Sequence, residues 1–437
     1  MNFEQLFDKA KASGLDSVQV FLEESKQLDL EVFKGELEKH QMADSRSLTI
    51  TGIYNGKMGR YKTEVINLDN VDDWIQELIK SASLIESQDE VFIYKGSDSY
   101  EVLEGLFQEP LETTDVKDKI KMVFDLEEKL KARDERIDIS EAFYGQVRKH
   151  VLLQNSKGLK LEKDVNSAVL GAHVVAREND DSRSAFDYVQ SNELGDFDLE
   201  EIAIKTVDKA VSQLGSTPIP SGKYEIILEN NASASLLAAH ASMFSGESVQ
   251  KGMSKLIDKV GEKVANKLIT IVDDPFRPKS PKSGSFDDEG VRTDFKEMVS
   301  KGKLTGYLHN LKTAKKAGTE STGNGFRGGV SPTNFYIRAG ASKYDDLVKN
   351  MEKGLIITDL QGTHSGTNPI SADFSLQANG YYVENGKITK PVALITVAGN
   401  YLSLLQDVEA VCDDLKMGFS FIGSPSLKIK SLMVSGE

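Results

Sequence analysis

Six histidines and one cysteine are the scarcest chemistry-bearing side chains in this 437-residue chain. With Cys412 alone, neither an intrachain disulfide nor a cysteine cluster for a metal can form. His364 stands in a Gly/Ser/Thr loop, Gln361–Asn368, with Gly362, Gly366 and Asn368 around it and Pro369 closing it. Glycines let a backbone come close to a ligand. The loop therefore has two readings: a binding loop centred on His364, or a turn that the histidine steadies by a hydrogen bond. His240 lies on the apolar stretch SASLLAAHASMFSG with no His or Glu three or four residues away on its face, the pattern of a packed or hydrogen-bonded side chain. His150 and His173 sit on strand patterns beside charged residues, as structural or surface groups do. His309 follows Tyr307 and Leu308 at a strand-to-helix transition. With His364 and nearby carboxylates it is the only raw material for an unrecognised catalytic site. Arg292, after Glu289-Gly290, can clamp a carboxylate, with pairing to Asp287 or Asp288 the stronger expectation. No nucleophile elbow is present. The run Gly318–Gly329 (GTESTGNGFRGG) lacks the Gly-Lys-Ser/Thr ending and the preceding strand of a phosphate cradle, so it reads as a mobile loop lining an interface or channel.

The elements that carry these residues follow from periodicity. Residues 2–13 read as an amphipathic helix stopped by Gly14. Ser17–Leu22, Leu28–Phe33 and Ser47–Tyr54 read as strands, with a hairpin at Asn55-Gly56 and a return through Arg60–Lys62. Val71–Ile85 is a helix whose Trp74 belongs to the core stripe. Residues 86–116 read as a connection with short strands. Val116–Arg133 is a helix with Glu127, Glu128 and Lys129 on its solvated side. Ile137–Phe143, His150–Gln154, Ser167–Arg177 and Phe186–Gln190 are strands, and Asp198–Leu214 is a helix. The order of the first part thus recurs, which implies an internal duplication of an antiparallel sheet backed by helices, with a sub-repeat boundary near 115–135.

Gly215–Gly222 (GSTPIPSG) can continue neither a helix nor a strand. It divides the chain into an N-terminal α+β domain of antiparallel or mixed sheet, residues 1–215, and a mostly β C-terminal domain with a few helices, residues 223–437. The second begins with a strand at Tyr224–Leu228 and a helix at about Ala232–Phe244, capped by Asn230-Asn231. Further on, Ile356–Leu360, Asp373–Gln377 and Val392–Val397 are strands, with turns at Asn379-Gly380 and Asn385-Gly386. Tyr401–Asp413 reads as a helix containing a buried Cys412.

The bounds exclude some partners. Net charge is −15, from 53 basic and 68 acidic residues, which disfavours nucleic acid or an anionic membrane as main partner. The single cysteine fits a reducing cytoplasm. The N-terminus has no apolar leader core, and no run of about 18 apolar residues occurs. The chain is expected to be cytoplasmic.

Several blocks together carry a family resemblance: the Gly-Thr-His-Ser-Gly loop, the Ala-Asp-Phe-Ser strand, Tyr-Val-Glu-Asn-Gly and Ala-Gly-Asn within Ile356–Asn400, Phe286–Thr293 (FDDEGVRT), and Lys316–Gly329. In order and spacing they resemble the TldD/PmbA family from about Tyr224 to the C-terminus. The resemblance implies a metallopeptidase that acts on unstructured peptides. In the TldD branch a helix carries His-Glu-x-x-x-His, two zinc ligands and a general base. Aligned on Gly246 and the Ser-Val-Gln-Lys that follows, those positions are Ala238, Ala239 and Met243, and none can do this chemistry. A later cysteine ligand has no counterpart either, the loop being cut down to Lys416-Met417-Gly418. The chain resembles the PmbA (TldE) branch, which lacks the metal motif. The resemblance implies a non-catalytic subunit that encloses a peptide channel, with no metal of its own and zinc in a TldD-like partner. The substrate-binding candidates are Gly362, His364, Asn368 and Arg292, with strand addition at Asp373–Gln377 as the way to hold an extended peptide. The alternative is a stand-alone homodimeric peptide- or protein-binding module.

Overall fold

The computed structural model describes residues 3–86 and 89–437. Its first half is built by long alternating strands. The helix expected at residues 2–13 is α1 (Glu4–Ala12), which buries Leu6, Phe7 and Ala10; residue 2 lies outside the described residues. β1 (Ser17–Phe33), β2 (Glu36–Tyr54), β3 (Lys57–Thr63) and α2 (Val71–Ser83) follow. After α3 (Glu109–Thr113), the run α4 (Val116–Arg133), β4 (Ile137–Asn155), β5 (Lys160–Glu178), β6 (Asp181–Ser191) and α5 (Leu199–Val211) repeats the order of helix, three strands and helix. The six strands make one antiparallel sheet, ordered β3-β2-β1-β4-β5-β6. The two meanders therefore join through β1 and β4, and each sends its third strand to an opposite edge. Trp74 is buried with Phe3, Leu6 and Val20 under the first half, while Leu126 and Leu130 of α4 and Val207 of α5 pack under the second.

Three expectations change here. The strands expected at Ser17–Leu22 and Leu28–Phe33 are one, because the polar residues between them pair across the sheet: Glu24 with Arg46 at 2.8 Å and Glu23 with Lys149 at 3.6 Å. Glu127 is not solvated. It is 3% exposed, accepts the Ser140 hydroxyl at 2.7 Å and pairs with Lys131 at 2.6 Å. The connection through 86–116 has no strand among its described residues, only α3.

The two edges of this sheet differ. β3 lies under α2, where a side chain at Gly59 would strike the carbonyl oxygen of Leu78, and the Arg60 N–H donates to Ser81 Oγ at 3.1 Å. Among the described residues no backbone hydrogen bond joins β6 to anything but β5.

The second half is a small barrel with a side sheet. β7 (Gly222–Leu228), α6 (Asn230–His240) and α7 (Gly246–Gln250) come first. β8 (Ile271–Asp273), β9 (Lys296–Ser300), β10 (Lys303–Leu304), α8 (Leu311–Ala317), the hairpin β11 (Gly325–Phe326) and β12 (Gly329–Val330), β13 (Phe335–Ile337) and α9 (Tyr344–Lys349) follow. The chain ends with β14 (Lys353–Gln361), α10 (Thr363–Gly366), β15 (Thr367–Asn368), β16 (Asp373–Glu384), β17 (Lys387–Asn400), α11 (Tyr401–Gln406), β18 (Val408–Val411), β19 (Lys416–Met417), β20 (Ile422–Ser424) and β21 (Leu427–Ser435). β14-β7-β21-β17-β16 closes on itself through β14–β16. Leu228, Leu237, Leu355, Leu376 and Val397 fill the core.

Asn379-Gly380 is not a turn. It is a bulge inside β16, where a Cβ at Gly380 would strike the Ile356 carbonyl, so glycine lets the barrel bend and close. Asn385-Gly386 is the turn expected, with φ of 50° and 73°. The helix expected over Tyr401–Asp413 ends at Gln406. Val408–Val411 pairs with β21 instead, and Cys412 is buried just past that strand. Asn230 is the first residue of α6 rather than its cap; Glu229 precedes it, held by the Tyr344 hydroxyl at 2.6 Å. Among the described residues no helix is long and apolar enough to cross a membrane.

Candidate functional site

α6 has no exposed face. Leu236, Leu237 and the following Met243 are buried, while Ala238 and Ala239 are half-buried. α10, β15 and β19 all pack against this helix. The fold thus gathers the segments that the sequence marks one by one: α6 with Ala238 and Ala239, the 3-10 turn Ala241–Phe244 with Met243, where the expected helix to Phe244 has already ended at His240, the His364 loop, and the short segment at Lys416-Met417. No metal donor set comes with them. Two methyl groups and a buried thioether occupy the three positions. Among the described residues no group of three or more His, Cys, Asp or Glu converges as a metal would require. The residues present do not fit a zinc ion.

His240 ends α6 fully buried. Its Nδ1–H donates to the Leu236 carbonyl at 2.8 Å, and its ring stacks on Tyr401 at 4.6 Å. Burial lowers its pKa, so the ring is neutral with its Nε2 lone pair facing the interior. His309 is likewise buried, bonded through Nδ1 to Thr313 Oγ1 at 3.1 Å, and burial lowers its pKa too.

His364 is exposed on α10. Gly362 enters that turn at φ 76°, a conformation that favours glycine. Asn368 Oδ1 accepts the N–H groups of Ile370 and Ser371 at 2.9 and 3.3 Å, and Asn400 donates to Asp373 at 2.9 Å. Asn368 thus shapes the loop's exit. Asp373–Gln377, expected as a docking edge, lies inside the sheet: β17 pairs along one side, and β15 and the end of β14 pair along the other.

Arg292 is exposed and pairs with Asp294 at 3.1 Å, not with Asp287 or Asp288. Those acids have another task. Asp287, 1% exposed, accepts N–H groups from Glu289, Val291 and Gly325 at 3.0, 2.9 and 2.8 Å; burial pushes its pKa up to about 8. Asp288 accepts the Arg327 N–H at 2.7 Å and Glu289 the Leu311 N–H at 2.8 Å. Buried Asn324 donates to Asp273 at 2.8 Å. The Gly318–Gly329 run is therefore a pinned hairpin, not a loose loop. This acidic block is scaffolding.

Sequence reasoning missed a second region. β6 runs along two clefts of about 440 and 550 Å3 between the large sheet and the second half. Where they meet, Phe419 stacks on Tyr188 at 3.6 Å, Phe186 lies 5.6 Å from Tyr188, and Lys416 pairs with Asp187 at 2.8 Å. Desolvation pushes the Tyr188 pKa up to about 12. The only sequence signal was the alternation of Phe186 and Tyr188; the third ring arrives with the segment of Lys416, which lies 229 residues beyond its partner Asp187.

Models of the PmbA/TldA metallopeptidase family match the chain over residues 221–436, as the C-terminal domain, and 109–214, as the central domain. The chain is 29% identical over 269 residues to the metalloprotease PmbA of Escherichia coli O157:H7, a match spanning 61% of this chain and 58% of that protein. A crystal structure from Thermotoga maritima MSB8, described as a candidate modulator of a DNA gyrase, is 34% identical and superposes with a TM-score of 0.93 over 99% of both chains. TldE of Thermococcus kodakarensis, 23% identical, shares the fold at a TM-score of 0.89, covering 99% of this chain and 100% of that one.

Proposed function

We propose, from the premise that this chain belongs to the PmbA/TldD metallopeptidase family, that it is the metal-free subunit of a two-chain peptidase. In this reading a TldD-like partner supplies zinc and the general base, and this chain encloses and holds an unstructured peptide. The observation that carries it is α6 and the turn after it: the helix packs against α10 and β19 and carries Ala238 and Ala239, and Met243 follows in the turn Ala241–Phe244. A methyl group cannot ligate zinc or move a proton. The exposed His364, in a turn set by Gly362 and Asn368 beside that helix, is then a peptide contact rather than a metal ligand. Arg292 is the second candidate contact, its guanidinium shared with Asp294.

The test is reconstitution. The purified chain should carry well under one zinc per molecule by elemental analysis and should leave a fluorogenic peptide intact. Adding a relative that bears His-Glu-x-x-x-His should give chelator-sensitive cleavage faster than that relative alone. About one zinc per chain, or cleavage by this chain alone, overturns the proposal. His364→Ala in this chain should then raise KM for the peptide in the mixture with little change in kcat.

A further inference from the structure

We infer that the open edge of β6 is a docking site for an extended, neutral to acidic peptide, held by strand addition in the two clefts it lines; this rests on the peptide-holding role proposed above. The two-residue turn at Asn179-Asp180 makes Glu178 and Asp181 a hydrogen-bonded pair. Alternation then turns the backbone N–H and C=O of Ser184, Phe186, Tyr188 and Gln190 away from β5. None of these groups has a backbone partner among the described residues. An unpaired row of this kind is a template for another strand, and proteins normally blunt it. β6 instead lines clefts whose other walls come from the second half, Arg277, Pro278 and Met417 in one and Thr358, Asp359 and Leu394 in the other. An edge faced by walls of its own chain favours a single strand over the sheet of another copy of this chain.

Charge points the same way. Four of the six cations that line the two clefts are already paired, Arg183 with Asp181, Lys205 with Glu201, Lys279 with Glu193 and Asp196, and Lys416 with Asp187. Arg277 has no carboxylate partner among the described residues and lies over the Tyr336 ring at 5.5 Å, while Lys209 makes no ion pair but acts electrostatically on Glu229. Arg277 is free for an acidic side chain of the guest. Phe186, 38% exposed, and Phe419, 45% exposed, form an aromatic shelf for its apolar side chains.

The probe is the end-blocked, fluorescein-labelled peptide Gly-Ser-Thr-Val-Glu-Val-Thr-Glu-Ser-Gly, read by anisotropy and by hydrogen exchange of the full chain. Binding should protect the amides of residues 184–190. Ser184→Pro removes one outward donor and should weaken binding by about tenfold, whereas Ser184→Ala, which keeps the N–H, should stay within about twofold. Unchanged melting of both variants guards against misfolding. Replacing both glutamates of the probe by lysine should weaken binding. Protection confined to Gly362–Asn368 overturns the edge assignment and leaves the proposed subunit role standing. No binding by the wild-type chain, or a concentration-dependent dimer abolished by Ser184→Pro, also overturns it, while reconstituted cleavage reads the subunit role separately.

Discussion

The two outer strands of the duplicated sheet occupy equivalent places and end differently. In each half the fourth residue past a two-residue turn directs its N–H outward: Arg60 in β3, Ser184 in β6. Over β3, Gly59 lets α2 sit on the strand, and Ser81 takes the Arg60 N–H. At the same distance from the start of α5 stands Lys209, which lines a cleft. Just beyond α5, Ser212 and Gln213 bond across to Tyr381 and to the Gly380 carbonyl of the barrel, at 2.5 and 3.2 Å. One helix takes an N–H of its edge, that of Arg60; the other ties its half to the second half of the molecule and takes none. The two halves repeat the ladder. The difference lies in a few residues at the helix ends.

The sharpest way to break this comparison is Gly59→Val. A side chain there must displace α2, and the loss should be about 3 kcal/mol or more, measured by urea unfolding. Its counterpart Arg183→Val should cost only about 1 kcal/mol, since it loses a half-exposed pair with Asp181. Equal losses would mean that α2 does not seal β3. Next come prolines at the matched positions. Arg60→Pro deletes a satisfied N–H and leaves Ser81 without its donor, a loss of about 2 kcal/mol. Ser184→Pro sits where edge prolines are tolerated and should stay under about 1 kcal/mol.

Acid separates the core from both edges. Burial lowers the folded pKa of His240 and of His309, so between the unfolded value near 6.5 and the lower folded one only the unfolded state takes the proton. Stability is full above that window and falls as pH drops through it, by up to about 1.4 kcal/mol per pH unit for each ring. His240→Phe should flatten the acid limb by one ring's share in unfolding at pH 5 to 7, and Ser184→Pro should run parallel to wild type. A wild-type slope in His240→Phe would remove His240 from the account. The smallest effect is expected for Lys416→Met. It breaks one partly exposed pair with Asp187, worth at most about 1 kcal/mol, and should raise hydrogen exchange in residues 415–421 without moving the melting point measurably.

Much of the ladder was legible. Period-two alternation, Asn-Gly turns and the Pro/Gly run at 215–222 placed the elements, and only their lengths were short. Charged residues at 23–24 read as a break because their partners, Arg46 and Lys149, lie far along the chain. Asn379-Gly380 has the composition of a turn. Its role as a bulge follows from the carbonyl of Ile356, which local sequence does not contain. The Gly-rich run at 318–329 looked loose for the same reason: its donors are fixed by Asp273, Asp287 and Asp288 from another segment.

The sequence by itself determined the family, the helix and strand types, and that Ala238, Ala239 and Met243 bear no imidazole or carboxylate, because these depend on side-chain chemistry and local periodicity. Only the tertiary structure decided which edge is open, which strand is interior and where Phe419 meets Tyr188. Those are properties of what packs beside a segment, and a strand's own residues do not say whether its outward N–H groups will find a partner.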